Sequence, residues 1–176
     1  TALTADVVSG LRRRLAPIGI SELRPLTGGA SSLTFVGDLG ARPVVVKVAP
    51  PGLAPIGHRD VLRQASVIRA LGATAVPVPE TLVEDVGEPP DVPPLFVMSF
   101  AEGSSAEPLF DDDRVGSPRV IADRFRLAAQ TMAALHRLSP AELGLADEPV
   151  VTPAAEVDKW CRSLSTVEET LAPRWQ

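Results

Sequence analysis

Apolar positions recur at helical spacing in some stretches of this chain and alternate or run together in others. Val7, Val8, Leu11 and Leu15 predict a short helix over 4–16, with Thr4 placed to cap it and Pro17 just past its end. Val61, Leu62, Ala65, Ile68 and Leu71 predict a second helix over 58–71, with Gly72 as its stop. Ser117-Pro118 opens a third, longer helix striped by Ile121, Phe125, Ala128, Met132 and Leu135. Thr152-Pro153 opens a fourth, with Val157, Trp160, Cys161, Leu164, Val167 and Leu171 on one side.

Between the first two helices the pattern turns to strands. Candidates lie at Ile18–Leu26, at Leu33–Val36 and at Pro43–Val48, the last being the strongest β signal in the chain. Gly37-Asp38-Leu39-Gly40 supplies turn chemistry, so the last two candidates read as an antiparallel hairpin. Further strands are expected at Thr81–Glu84 and Leu95–Phe100, around a proline-rich loop at Gly87–Pro94. The order is helix, three strands, helix, two strands, and no β signal appears beyond residue 110. That is an α+β fold with a mostly antiparallel sheet rather than a doubly wound βαβ one. The expected organisation is a β-rich lobe over 1–98, a connector over 99–118 and the start of a helical lobe over 119–176.

Composition narrows the classes. The 176 residues are 45% hydrophobic with a formal charge of −5, so a folded core is expected and nucleic-acid coating is not. One cysteine excludes a disulfide framework or a cysteine-rich zinc site. Neither a membrane-spanning run nor a signal peptide is evident, so the expectation is a soluble, cytoplasmic protein without membrane partners. Among 17 basic residues only Lys47 and Lys159 are lysines, which makes a lysine inside a strand conspicuous.

Alternation puts Val44, Val46 and Val48 on one face of their strand and Val45, Lys47 and Ala49 on the other. A lysine among small apolar residues needs an anion or a route to water. The loop Thr27-Gly28-Gly29-Ala30-Ser31-Ser32 lies between two strand candidates, one before it and one after. Gly28 and Gly29 let backbone N–H groups approach a phosphate, and Ser31 and Ser32 offer hydroxyls, although a tight turn would use the same residues. Gln64 flanks the apolar stripe of its helix and is placed to meet Lys47 across the lobe. Leu95–Gly103 is a strand running into a connector, where extended backbone and Met98 suit a planar base.

Leu26–Ser32, Val45-Val46-Lys47-Val48, Arg63–Leu71 followed by Val76-Pro77-Val78-Pro79, Phe96–Gly103 and Met132–Leu138 succeed one another as they do in the N-terminal half of the aminoglycoside phosphotransferases. The resemblance extends to choline kinases and to the phosphotransferase domains associated with acyl-CoA dehydrogenases. It implies a protein kinase-like N-lobe, a hinge and the first helices of a helical C-lobe. It implies ATP and magnesium as cofactors, with a small hydroxyl-bearing substrate. By resemblance, Lys47 would contact the α- and β-phosphates, the Ser99 carbonyl and Ala101 N–H would hold adenine, and the 27–32 loop would cover the phosphates.

Two departures accompany it. Gln64 stands where the family usually has a glutamate. The family's catalytic aspartate and metal ligands would fall beyond residue 176, so the expectation is no catalytic residue in this segment, which alone would be inactive. A non-catalytic kinase-like binding or regulatory module is the alternative. The apolar residues near Trp160 and Leu164 are expected to lie exposed and to promote self-association. His58-Arg59-Asp60 imitates a kinase catalytic triplet, but Asp60 reads as a carboxylate in the first turn of a helix. Asp111-Asp112-Asp113 reads as a solvated loop, His136 as a structural histidine near a buried stripe, and Cys161 as core.

Overall fold

The computed structural model describes residues 5–26, 32–103 and 116–167. Helix α1 (Ala5–Leu15) ends in a 3-10 turn at Ala16–Ile18, and Gly19 at φ 83° redirects the chain into β1 (Ile20–Pro25). Strands β2 (Leu33–Leu39) and β3 (Arg42–Val48) precede α2 (Val61–Leu71). Then come β4 (Thr81–Asp85), β5 (Leu95–Ser99), α3 (Pro118–His136) and α4 (Pro153–Leu164). The five strands form one antiparallel sheet in the order β1-β2-β3-β5-β4. The expected α+β arrangement is what forms.

The β2–β3 hairpin turns later than its sequence suggests. Gly37, Asp38 and Leu39 lie inside β2, paired with Val44, Pro43 and Arg42. The reversal is left to Gly40 and Ala41, with Gly40 at φ 62°. Gly37 has a different reason to lack a side chain. A Cβ there would lie 3.0 Å from the Ser21 carbonyl oxygen and 3.1 Å from Ile20 and Leu23 side-chain atoms. This is where β1 bulges between Ser21 and Arg24, with Glu22 at φ 51°.

Each face of the sheet is covered by one helix. Leu11 and Leu15 of α1 pack with Phe35, Val44, Val46 and Val97. On the opposite face, Val61 and Ala65 of α2 pack with Ala49 and Phe96, joined by Ile68 and Met98. Phe35 and Phe96 are fully buried, one on each side, each contributing about 1.5–3 kcal/mol of transfer free energy. The alternation along β3 is therefore realised, and Lys47 shares the α2 face with Val45.

Asp60 precedes α2 rather than sitting in its first turn. It is the N-cap, its Oδ1 accepting from the Arg63 N–H at 2.9 Å, and His58 and Arg59 belong to a preceding 3-10 turn at Gly57–Arg59. Ser117 and Thr152 cap α3 and α4 in the same way, with proline in each first turn.

The stripes on α3 and α4 are present but uncovered. Phe125, Met132 and Trp160 are each more than half exposed, and Leu164 is 36% exposed. His136 and Cys161, expected near or within a core, are both exposed. The cause is that no described element packs extensively against these two helices. Arg63 of α2 forms an ion pair with Glu148, in the segment between α3 and α4. Among the described residues no helix is long and apolar enough to cross a membrane.

Candidate functional site

Lys47 is held in the middle of the sheet, opposite Thr34 of β2 and Phe96 of β5. Its ammonium does not run out to open solvent. Nζ donates to Oε1 of Gln64 at 2.8 Å, joining β3 to α2 across the face that both border. Partial burial disfavours the charged form and pulls the Lys47 pKa below its usual value. Among the described residues no carboxylate forms an ion pair with it. The ammonium is thus partly dehydrated and electrically uncompensated, a state that favours an anion nearby.

Register places Leu26, the last described residue before the glycine-containing segment, at the same level. Leu26, just past β1, donates its N–H to the Thr34 carbonyl at 2.8 Å, and Thr34 pairs with Lys47. Gly28, Gly29 and Ser31 lie outside the described residues, as do Asp111, Asp112 and Asp113. Ser32 is described and is buried at the entry to β2.

An apolar surface adjoins the lysine. Val36 pairs with Val45, and Val45 with Met98, so these three side chains lie in a row on the Lys47 face of β2, β3 and β5. Val36 and Val45 carry this surface as much as Met98 does. Their adjacency depends on strand register, which follows from placing the turn at Gly40.

At the end of β5, Ser99 makes an unusual exchange with the residue before β4. Its N–H donates to the Glu80 carbonyl at 2.9 Å, but the Glu80 N–H donates to the Ser99 hydroxyl, also at 2.9 Å. The side chain thus takes the place that the Ser99 carbonyl would fill in a regular ladder, relieving that carbonyl of a donor. Two residues on, Ala101 is exposed and its N–H has no acceptor among the described residues. One backbone acceptor and one backbone donor are therefore presented beside Met98.

A cavity of about 600 Å³ lies elsewhere, between α1, Leu33, Phe35, Val48 and residues 91–93. It is on the opposite face of the sheet from Lys47. Its size does not make it the chemical centre, because the lysine and its partner are on the α2 side.

The family model for the phosphotransferase enzyme family, APH, matches residues 22–176. The chain belongs to that family. The APH chain also superposes on a crystal structure from Ralstonia eutropha JMP134, described as a candidate aminoglycoside phosphotransferase, with a TM-score of 0.67 at 19% identity. The match covers 92% of this chain and 48% of that one, so this APH chain spans about half the length of its structural neighbour. At that identity the likeness concerns the fold, which is kinase-like. No curated protein sequence matches the chain.

Proposed function

We propose that this chain is the nucleotide-holding part of an ATP-dependent phosphotransferase that passes a phosphoryl group to a hydroxyl of a small substrate. The observation that carries the reading is the placement of Lys47: a half-buried, uncompensated ammonium beside an apolar wall of Val36, Val45 and Met98. In this reading Lys47 binds the α- and β-phosphates. The wall covers one face of adenine, and the Ser99 carbonyl and Ala101 N–H meet its polar edge. Gly28, Gly29, Ser31 and Ser32 lie toward the phosphates. The division at about residues 98 and 118 into lobe, hinge and helical start belongs to the same proposal.

Bound ATP supplies the transferable phosphoryl group; the residues here bind and orient it. Magnesium is a different matter. Among the described residues no three His, Cys, Asp or Glu side chains are grouped to hold a metal ion, and no step is assigned through one. A non-catalytic kinase-like module is the second reading. It is favoured by the neutral Gln64, which orients the lysine by a hydrogen bond in place of an ion pair.

Calorimetric titration of ATP into the folded chain tests the proposal. Wild type should bind and Lys47→Ala should bind at least about tenfold more weakly, as loss of a charge-assisted phosphate contact requires. Absence of binding by both proteins would refute nucleotide recognition. Assaying phosphoryl transfer by the product of the whole reading frame separates the enzyme from the non-catalytic module.

A further inference from the structure

The cavity on the α1 side of the sheet plays no part in nucleotide binding. Its walls include Val7 and Leu11 of α1, Leu33 and Phe35 of β2, Val48 of β3 and Val92 of the proline-rich loop. Its volume, about 600 Å³, falls within the range of about 300–1,000 Å³ usual for small-molecule sites. The walls are braced: Val92 exchanges both backbone hydrogen bonds with Glu88, and Arg14 holds the Pro93 carbonyl while pairing with Asp85. A glycine also borders the space. Gly10 lies in the interior of α1, where glycine is a poor helix former. Beyond the helix's own backbone, a Cβ there would meet only Arg13 Nη2, at 4.0 Å. No neighbour forbids a side chain at residue 10, and what the glycine provides is open space. The same distance sets the Arg13 guanidinium over Gly10, beside the cavity. Among the described residues no carboxylate forms an ion pair with it.

We propose that this cavity binds a monocarboxylic acid with an aliphatic body, of the medium-chain fatty acid class, its chain against the apolar walls and its carboxylate on Arg13. The walls offer a polar body no side-chain partner, and burying an unpaired polar group is costly. An aliphatic chain gains instead, each buried methylene tightening binding about fourfold. Arg13 decides the sign of the head group, because a guanidinium only donates and matches a carboxylate with two parallel hydrogen bonds. Asp6 and Asp91, both exposed at the rim, limit that head group to a single charge, since a second anionic group would face a like charge. Asp6 also lies in the first turn of α1, where the helix dipole stabilises its carboxylate without a ligand. The proposal does not rest on the nucleotide reading, which concerns the other face of the sheet.

Calorimetric titration of decanoate into the full chain, below its micelle-forming concentration, tests this, with methyl NMR to locate the ligand. Wild type should bind saturably, with shifts at Val7, Leu11, Leu33 and Val48. Gly10→Leu places a good helix former in the open space and should weaken binding at least about tenfold. Arg13→Gln should weaken it about threefold at low salt and remove its salt dependence. Hexanoate, four methylenes shorter, should bind at least about tenfold more weakly than decanoate. Absence of binding by wild type, or unchanged affinity in Gly10→Leu, overturns the proposal. Shifts confined to the exposed faces of α3 and α4 overturn it as well, and they decide the matter should Gly10→Leu not fold. Decyltrimethylammonium carries the same chain on a cation; binding as tight as that of decanoate overturns the assignment of a carboxylate to Arg13.

Discussion

Arg14 of α1 and Asp85 at the end of β4 are 71 residues apart and form an ion pair that ties the helix to the sheet's edge. The same guanidinium also donates to the Pro93 carbonyl, so one side chain gathers α1, β4 and the proline-rich loop. The Arg14 hydrogen bond, helped by the Gly87 N–H, holds the Asp85 carboxyl below its ordinary pKa, against a smaller opposing effect of burial.

A depressed carboxylate pKa adds stability above the unfolded value and loses it as pH falls through the folded one. The chain should therefore become less stable below about pH 4. Asp85→Asn should lower stability by less than about 1 kcal/mol at pH 7, because the carboxylate is partly solvated and screened. Thermal melts from pH 7 down to pH 3 should show the two proteins converging.

Lys47 has the opposite relation to neutral pH. Its folded pKa lies below the unfolded one, so the buried ammonium disfavours the native state at pH 7. That penalty declines as pH rises from the folded pKa toward 10.5. Lys47→Met should keep or raise the melting temperature at pH 7 and abolish any increase produced by added ATP. A melting temperature well below wild type would show that the lysine is structural.

Asp60 separates capping from catalysis. Asp60→Ala should destabilise the chain by about 1 kcal/mol through loss of the N-cap, whereas Asp60→Asn should cost little, since asparagine caps equally well. ATP affinity should be the same in Asp60→Asn as in wild type. Denaturant unfolding and calorimetry give both quantities.

Gly37→Val should destabilise by about 1–3 kcal/mol, because the added carbons meet backbone and core atoms at the β1 bulge that cannot readily withdraw. Gly40→Asn should be tolerated much better, since a Cβ at Gly40 meets nothing within 4 Å and asparagine accepts the left-handed conformation. Urea midpoints for the pair separate crowding from turn conformation.

The exposed residues of α3 and α4 should drive association of the isolated chain. Sedimentation velocity should show mass rising with concentration, and Phe125→Glu combined with Trp160→Glu should reduce it. A concentration-independent monomer in wild type would contradict this.

Periodicity made the helices and strands legible, and the side of β3 that carries Lys47 followed because successive side chains of one strand point to opposite faces. The partner was legible too, since Gln64 sits beside the apolar stripe of α2. What local pattern could not supply was register. Gly37 and Gly40 look alike as turn residues, yet one answers to crowding by β1 and the other to a positive φ, so the neighbours of Val45 were hidden until the strands were paired. The second hydrogen bond of Gln64, donated to the His58 carbonyl, was equally hidden, because no side-chain pattern records a main-chain acceptor. Burial of His136 and Cys161 was misjudged for a related reason: a stripe reveals a face able to be covered, and covering requires a second surface.

Val46 and Lys47 are adjacent in sequence yet belong to opposite sides of the sheet, one packed beneath α1 and the other reaching toward α2. A single strand is all that separates them. Substitutions in the first helix should accordingly alter the proposed nucleotide contact from the rear of the sheet, because Val46 and Lys47 share one strand between the two faces.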